Sequence, residues 1–319
     1  MSVAPESHFD CFIPISAATL ARGTNYGVDI YARINASDAP ILLCSADQQI
    51  PKEKLDAVSL NGKLLIHCDN RDRYQSFLRE NYRDCIADEC VPVADRVSIL
   101  NDVIRDVLAD QFANGTTESI VETCHTLGQD SVTILGSESV VPNELCKVLH
   151  HDYGTFTHSA NVSAYAVLLA RGLGYSKTDL EQIATGALLH DLGKLDISDQ
   201  ILNKPGKLTD AEFALIKKHP TTGLQRVGDR TDLNYGQLMM IYQHHERING
   251  TGYPVGCSAD EIHPWGKICA IVDVFEALTS HRPYRVPFTH PTAFAVLERG
   301  SGSEFDKEML ECWRQLLSL

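Results

Sequence analysis

The segment GALLHDLGK (186–194) ends an apolar run with an adjacent histidine and aspartate. Ser176, followed three residues later by Asp179, predicts the start of a helix that runs into this segment. An imidazole and a carboxylate at the end of one apolar helix can both face a single cavity, where they would be costly to bury unused. A carboxylate can also bridge two cations, so His190 and Asp191 predict a metal site at a helix end.

Further histidines and one aspartate occupy similar positions along the chain. His244 and His245 follow the apolar run MMIYQ, and Asp273 lies inside the apolar segment ICAIVDVFEAL. An acid buried in such a helix requires a cationic partner. His158 and His219 are single histidines in GTFTHSANVSAYAVLLA and IKKHP. Taken alone, a single histidine is more simply explained as a side chain whose hydrogen bonds are satisfied than as a metal ligand.

The chain changes in character at about Val93. Before it, short β-rich segments such as GVDIYARI, PILLCSA and KLLIHCD predict a small sheet. After it, apolar residues recur at helical spacing almost throughout. The predicted fold class is therefore α+β overall, with an all-α domain at the C-terminal end. We predict three parts, which are a small mixed α/β domain (1–90), connecting helices (91–145) and a helical domain (146–319).

The composition limits the partners of the protein. The 319 residues include 28 basic and 42 acidic side chains, for a formal net charge of −14. Such a chain is a poor general binder of nucleic acid polymers or anionic membranes. No apolar run approaches the ~18–20 residues of a membrane-spanning helix, and the N-terminus lacks a signal-peptide pattern. We therefore expect a cytoplasmic protein whose ten cysteines are reduced.

The order of the motifs closely resembles that of the HD-GYP family. These motifs are HDLGK, ILNKPGKLTDAEF, KKHPTTG, HHERINGTGYP, DVFEALTSHRPYR and GSGSEFD. HD-GYP proteins are bacterial signalling members of the HD phosphohydrolase superfamily, and they hydrolyse cyclic di-GMP. The resemblance runs from about Asp152 to the C-terminus and does not cover the N-terminal third. It implies that the domain over 146–319 is an HD-type helical domain, a metal-dependent phosphohydrolase with a metal centre that is often of iron or manganese.

The resemblance also implies which residues form this centre. The metal ligands would be His158, His190, Asp191, His219, His244, His245 and Asp273. Asp191 would bridge two divalent ions. A third metal, present in some members, requires a glutamate where this chain has Gly154, so we expect two metals. Two other departures from the family pattern, Asn249 and Glu276 in place of aspartate, do not replace a ligand.

The substrate groove is likewise implied by the resemblance. Asp191 and Lys194 would be the catalytic groups, because a lysine close to the metals can reach a phosphate oxygen. An arginine side chain would offer planar, bidentate recognition of phosphate or guanine. The substrate-binding residues implied in this way are Asp152, Lys194, Lys204, Tyr253, Arg282 and Arg285.

The implied function is hydrolysis of cyclic di-GMP to linear pGpG, and to GMP after a second cut, by a hydroxide held between two metals. One alternative is a phosphodiesterase for another cyclic dinucleotide, such as cyclic GMP-AMP. The other is a cyclic di-GMP sensor or adaptor with little turnover. The helix predicted over 93–113 permits a homodimer, and the N-terminal domain is expected to tune activity or to bind a protein partner.

Overall fold

The computed structural model divides into two compact units, Met1–Val103 and Ile104–Leu319. The boundary falls inside a helix, whereas the sequence places boundaries after residues 90 and 145, and that division stays a prediction. The residues that the structure describes are 12–15, 27–34, 38–48, 63–137, 140–146, 149, 155–202, 204–281 and 286–319.

The N-terminal unit contains a four-stranded antiparallel sheet in the order β1-β4-β2-β3. The strands are β1 (Phe12–Ile15), β2 (Ile30–Arg33), β3 (Ile41–Cys44) and β4 (Lys63–His67). Strand β4 is central, which explains why its run Leu64–Ile66 is buried throughout. Strand β1 was not predicted, because Pro14 weakens its strand pattern, but proline is tolerated on an edge strand such as this one.

The sheet is followed by α1 (Arg71–Ala87) and α2 (Val93–Asn114). Tyr74, Leu78 and Tyr82 recur every four residues along α1 and form its buried stripe. Cys68, just after β4, is disulfide-bonded, so the expectation of reduced cysteines is wrong at this position. A disulfide depends on the approach of two chain segments, which cysteine spacing does not reveal.

The remaining described helices all belong to the C-terminal unit. They are α3 (Thr117–Leu135), α4 (Pro142–Leu145), α5 (Thr155–Gly172), α6 (Lys177–Leu189), α7 (Asp199–Leu202), α8 (Asp210–Ile216), α9 (His219–Val227), α10 (Tyr235–Gln243), α11 (Pro264–Thr279), α12 (His290–Glu298) and α13 (Lys307–Leu316). As the sequence predicts, Ser176 with Asp179 and Thr209 with Glu212 form capping boxes that begin α6 and α8.

Helix α5 is the centre of this unit. Its residues from Ala160 to Ala170 are buried on every side, which is typical of a helix enclosed by others. Tyr165 of α5 packs against Phe275 of α11 and Trp313 of α13, with ring centroids 5.7 Å away in both cases. This aromatic cluster fixes α5 and α11, which both contribute residues to the site described below.

The architecture confirms the predicted fold class. The first unit contains a small sheet and α-helix. The described residues of the second unit form helices, and their β-structure is limited to isolated bridges. None of the helices among the described residues has the length and apolar character needed to cross a bilayer.

Candidate metal centre

Seven polar side chains converge inside the C-terminal unit, mostly from helix ends. His190 caps the C-terminus of α6, His244 caps that of α10, and His219 begins α9. The polar residues can end these apolar helices because the backbone turns there and the side chains point into one cavity. The seven residues are those implied by the motifs, namely His158, His190, Asp191, His219, His244, His245 and Asp273.

The carboxylate of Asp191 lies between two pairs of histidines. Its Oδ1 is 3.3 Å from Nε2 of His219 and 3.9 Å from Nε2 of His244. Its Oδ2 is 3.4 Å from Nε2 of His190 and 3.7 Å from Nε2 of His158. Each oxygen therefore faces a different set of ring nitrogens.

The orientation of three imidazole rings is set by backbone carbonyl groups a few residues earlier in the chain. Nδ1 of His190 and Nδ1 of His219 each donate to a carbonyl oxygen three residues earlier, at 2.7 Å. Nδ1 of His244 is 3.0 Å from two such carbonyl oxygens. A carbonyl only accepts hydrogen bonds, so each neutral ring carries its proton on Nδ1 and directs the Nε2 lone pair at Asp191.

The donor set fits divalent metal ions. Nε2 of His190 and Oδ1 of Asp191 are buried without a hydrogen-bond partner, which is rare in folded proteins. The Nε2 atoms of His219 and His244 are only 3.0 Å apart, with lone pairs facing each other. Imidazole nitrogen and carboxylate oxygen are typical ligands of iron, manganese and zinc. A cation between these atoms would satisfy all of them.

The protonation states also suit metal binding. Burial lowers the pKa of His219 to about 4 and that of His245 to about 3, so both rings are neutral near pH 7. Burial by itself would raise the pKa of Asp191, but the nearby Lys194 ammonium holds it well below its usual value. His219 and His245 are thus neutral and Asp191 is ionised, as metal ligation requires, whereas His158, whose pKa the neighbouring acids raise, would release a proton on binding a metal.

Glu276 orients His158 from the side away from Asp191. Nε2 of His158 is 3.1 Å from Oδ1 of Asp273, and its Nδ1 is 2.5 Å from Oε2 of Glu276. Asn161 and Ser280 donate to the other carboxylate oxygen. Burial lowers the pKa of His158, but Glu276 and Asp273 outweigh it and raise that pKa to about 10.

Sequence reasoning treated Glu276 only as a departure from the family pattern. The available signal was its spacing of three residues from Asp273, which places both acids on one face of a helix. The carboxylate–histidine contact fixes the ring tautomer, as partners of metal-binding histidines commonly do.

We expect Glu276→Gln to weaken metal binding by roughly 10- to 100-fold, because the amide holds the His158 ring less firmly and leaves it less basic. The measurement is competition of metal-free protein with a chromophoric chelator. Glu308→Gln is the matched control, since Glu308 is exposed at the start of α13. An affinity of Glu276→Gln within twofold of the unmodified protein would contradict this role.

A buried glutamate anchors the loop that follows the paired histidines. Glu246 accepts hydrogen bonds from the backbone N–H groups of residues 255–257, at 2.8–3.1 Å. This places the ring of Tyr253 in a stack on His245, with centroids 4.7 Å apart. The ammonium of Lys217 lies 5.3 Å from the Tyr253 ring centroid. Sequence reasoning gave Tyr253 a role in substrate binding and gave none to Glu246, because the backbone N–H groups that Glu246 binds are not visible in the sequence.

Two cavities adjoin Lys194, whose ammonium is 2.5 Å from Oδ2 of Asp191. Cavity A has a volume of about 540 Å³, and cavity B has a volume of about 390 Å³. Side chains around cavity A include Phe112, Phe156, Leu195, Asp199 and Leu202. Those around cavity B include His158, His219, His245, Arg247, Tyr253 and Asp273. Lys194 is part of both walls and can reach an anion in either.

Of the other predicted substrate-binding residues, Lys204 is the one that lies within the described part of the chain. The ammonium of Lys204 binds the carboxylate of Glu212 at 2.7 and 2.8 Å, and Lys204 lines neither cavity. Asp152, Arg282 and Arg285 lie outside the described residues, as does Gly154. The roles assigned to the predicted site residues therefore stay predictions.

The fold and this cluster define a helical domain with a buried histidine–aspartate centre suited to divalent metals. Residues 142–309, more than half of the chain, match the family model described as HD domain. The chain therefore belongs to the HD domain family. Its structure is similar to that of a HDG"Y"P protein from Bdellovibrio bacteriovorus, with a TM-score of 0.65 and 22% identity over 97% of this chain and 100% of that one. This likeness shows the fold, and the HD domain match together with the curated relatives below confirms the predicted resemblance to HD-GYP proteins.

Curated relatives match over part of their length. A cyclic di-GMP phosphodiesterase of Pseudomonas aeruginosa is 35% identical over 66% of this chain and 51% of its own. A 3'3'-cGAMP-specific phosphodiesterase of Vibrio cholerae is 36% identical over 52% of this chain and 36% of its own. A cyclic di-GMP phosphodiesterase response regulator of Xanthomonas campestris pv. campestris is 37% identical over 51% of this chain and 43% of its own. The chain thus spans about half or less of these relatives.

Proposed function

We propose that this protein is a metal-dependent phosphodiesterase that hydrolyses cyclic di-GMP. The observation that carries the proposal is the placement of Asp191 between two histidine pairs, next to Lys194 and two ligand-sized cavities. The names of two of the three relatives described above support the same substrate.

Two divalent cations, iron or manganese, fit this arrangement, with Asp191 as the shared ligand. Oδ2 of Asp191 faces one group of ligands, formed by His158, His190 and Asp273, and Oδ1 faces the other, formed by His219, His244 and His245. When bound, such ions lower the pKa of water and neutralise the oxygens of a phosphodiester.

The protein's own residues position the substrate. Lys194 binds Oδ2 of Asp191 and lines both cavities, and an ammonium has three N–H donors, so it can also donate to a nonbridging phosphate oxygen. Tyr253 is held over His245 by the loop that Glu246 anchors, and it offers a ring and a hydroxyl to the ligand. Cleavage of one ester bond gives linear pGpG, and a second cleavage gives GMP.

The test combines elemental analysis of anaerobically purified protein with chromatography of the products formed from cyclic di-GMP. We expect about two iron or manganese ions per chain and release of pGpG, with activity lost after chelation and regained on adding metal. Protein that carries both metals and forms no product would contradict the proposal. If it still binds cyclic di-GMP tightly, the sensor or adaptor alternative is correct instead.

Cyclic GMP-AMP is a second candidate substrate, because the relative from Vibrio cholerae is named for its action on that nucleotide. The ratio of kcat/KM on the two cyclic dinucleotides separates these candidates. A cytoplasmic location, a homodimer and a protein partner for the N-terminal unit remain predictions.

A further inference from the structure

Cavity A is the larger of the two cavities beside Lys194, and the function proposed above gives it no specific part of the substrate. Of the seven predicted metal ligands, only Asp191 lines it. The rest of its wall is largely apolar, and Lys194 lies where the cavity approaches the metal centre. A cavity of this size beside a phosphate-binding lysine is suited to the group attached to that phosphate.

We propose that cavity A is a nucleobase subsite in which Phe112 is the stacking platform. This inference rests on the proposed function, because it places one base of the cyclic dinucleotide there while a phosphate lies at Lys194. Phe112 belongs to the last turns of α2, outside the motifs that resemble HD-GYP proteins. Sequence reasoning assigned this helix only to connecting the domains or to a dimer.

The geometry of the two aromatic rings favours stacking. Phe112 and Phe156 form an edge-to-face pair, with centroids 5.3 Å apart and an interplanar angle of 75°. Both side chains are half-buried and both line the cavity. Phe156 thus holds the Phe112 ring in place, while part of that ring remains open to a ligand. Every nucleobase has a flat π-face that can stack on such a ring.

Asp199 gives this subsite a preference for guanine. Two acidic side chains line cavity A, Asp191 and Asp199, and Asp199 is the exposed one. A carboxylate accepts two hydrogen bonds, which matches the neighbouring N–H groups on the Watson–Crick edge of guanine. Adenine presents only one donor group at that edge. The subsite therefore distinguishes cyclic di-GMP from cyclic di-AMP.

The first test is steady-state kinetics on cyclic di-GMP. We expect Phe112→Ala to lower kcat/KM by roughly 5- to 150-fold, mainly through KM, with unchanged metal content. Phe112→Trp should restore KM, since indole also stacks. Phe77→Ala is the matched control, because Phe77 is an equally half-buried phenylalanine in α1. Unchanged kinetics of Phe112→Ala, or the same loss in Phe112→Trp, would overturn the proposal.

The second test measures base preference. We expect Asp199→Asn to reduce the preference for cyclic di-GMP over cyclic di-AMP by roughly tenfold, because the amide offers a donor where guanine needs an acceptor. Asp210→Asn is the control, since Asp210 is an exposed aspartate that also begins a helix, α8, and is not among the residues lining cavity A. An unaltered preference in Asp199→Asn would show that this carboxylate does not contact the base.

The third test does not depend on turnover and separates this inference from the proposed function. In Phe112→Trp, a stacked base should quench the fluorescence of the new indole saturably as cyclic di-GMP is added. Phe77→Trp should show no such change. Quenching in protein that does not hydrolyse cyclic di-GMP would support the subsite while contradicting the phosphodiesterase. Hydrolysis without quenching would contradict the subsite alone.

Discussion

Replacing Asp191 with asparagine is expected to lower kcat on cyclic di-GMP by on the order of 10³-fold and to reduce the metal content to one ion per chain or fewer. The two carboxylate oxygens face different histidine pairs, and the amide can offer an oxygen to only one of them. Its NH2 group would face the other pair and cannot bind a cation. The measurements are turnover by chromatography and metal content by elemental analysis.

Asp196→Asn is the matched control for this substitution. Asp196 ends the short 3₁₀-helix that follows Asp191, and its exposed carboxylate pairs with Arg226. Exposed ion pairs contribute little to stability, so we expect activity within about twofold of the unmodified protein. If Asp191→Asn retains both metals and loses less than tenfold in kcat, Asp191 is not the shared ligand.

The second large effect is expected from Gly193→Ala. A Cβ at this position would lie 2.0 Å from the carbonyl oxygen of His219 and 2.6 Å from the amide nitrogen of Gly223. Both are backbone atoms of α9, so no side-chain rotation can relieve the overlap. Helix α9 must move and carry His219 away from Asp191. We expect a loss of about 3 kcal/mol in the free energy of unfolding, together with loss of metal.

The measurements for Gly193→Ala are denaturant unfolding of the metal-free protein and metal content after reconstitution. Gly228→Ala is the control, because Gly228 has helical backbone angles and its nearest contact for a Cβ is 3.0 Å away. Alanine at such a site changes stability by about 1 kcal/mol or less. Normal metal content in Gly193→Ala would show that α9 tolerates the displacement.

The convergence of the candidate metal ligands could be predicted from the sequence because many of its signals are local. His190 and His244 each end an apolar helix, and a polar residue in that setting is visible within ten residues of sequence. The order of the motifs then supplied the long-range arrangement. The helices themselves were predictable from capping boxes such as Ser176 with Asp179, since these depend only on neighbouring residues.

Features that depend on tertiary contacts could not be predicted. Glu276 contacts a histidine 118 residues away, so it looked like a mere substitution within its motif. Glu246 binds backbone groups, which leave no mark in the sequence. The helical periodicity around Phe112 predicts that its ring lies on the apolar face of a helix. It does not reveal that this face borders a cavity. Lys204 matched a motif, but its ammonium is bound to Glu212.

The hydrogen bonds that hold His190, His219 and His244 to nearby backbone carbonyl groups have a consequence for the lifetime of the protein. These rings cannot turn away from one another without losing a hydrogen bond to a carbonyl oxygen. Without a metal, their Nε2 lone pairs therefore continue to face and repel each other. Metal that binds only the folded chain adds about 2.7 kcal/mol of stability at a free concentration 100 times its Kd. Scarcity of the bound metal would therefore expose the chain to unfolding and proteolysis, so the supply of that metal would affect the abundance of the protein as well as its activity.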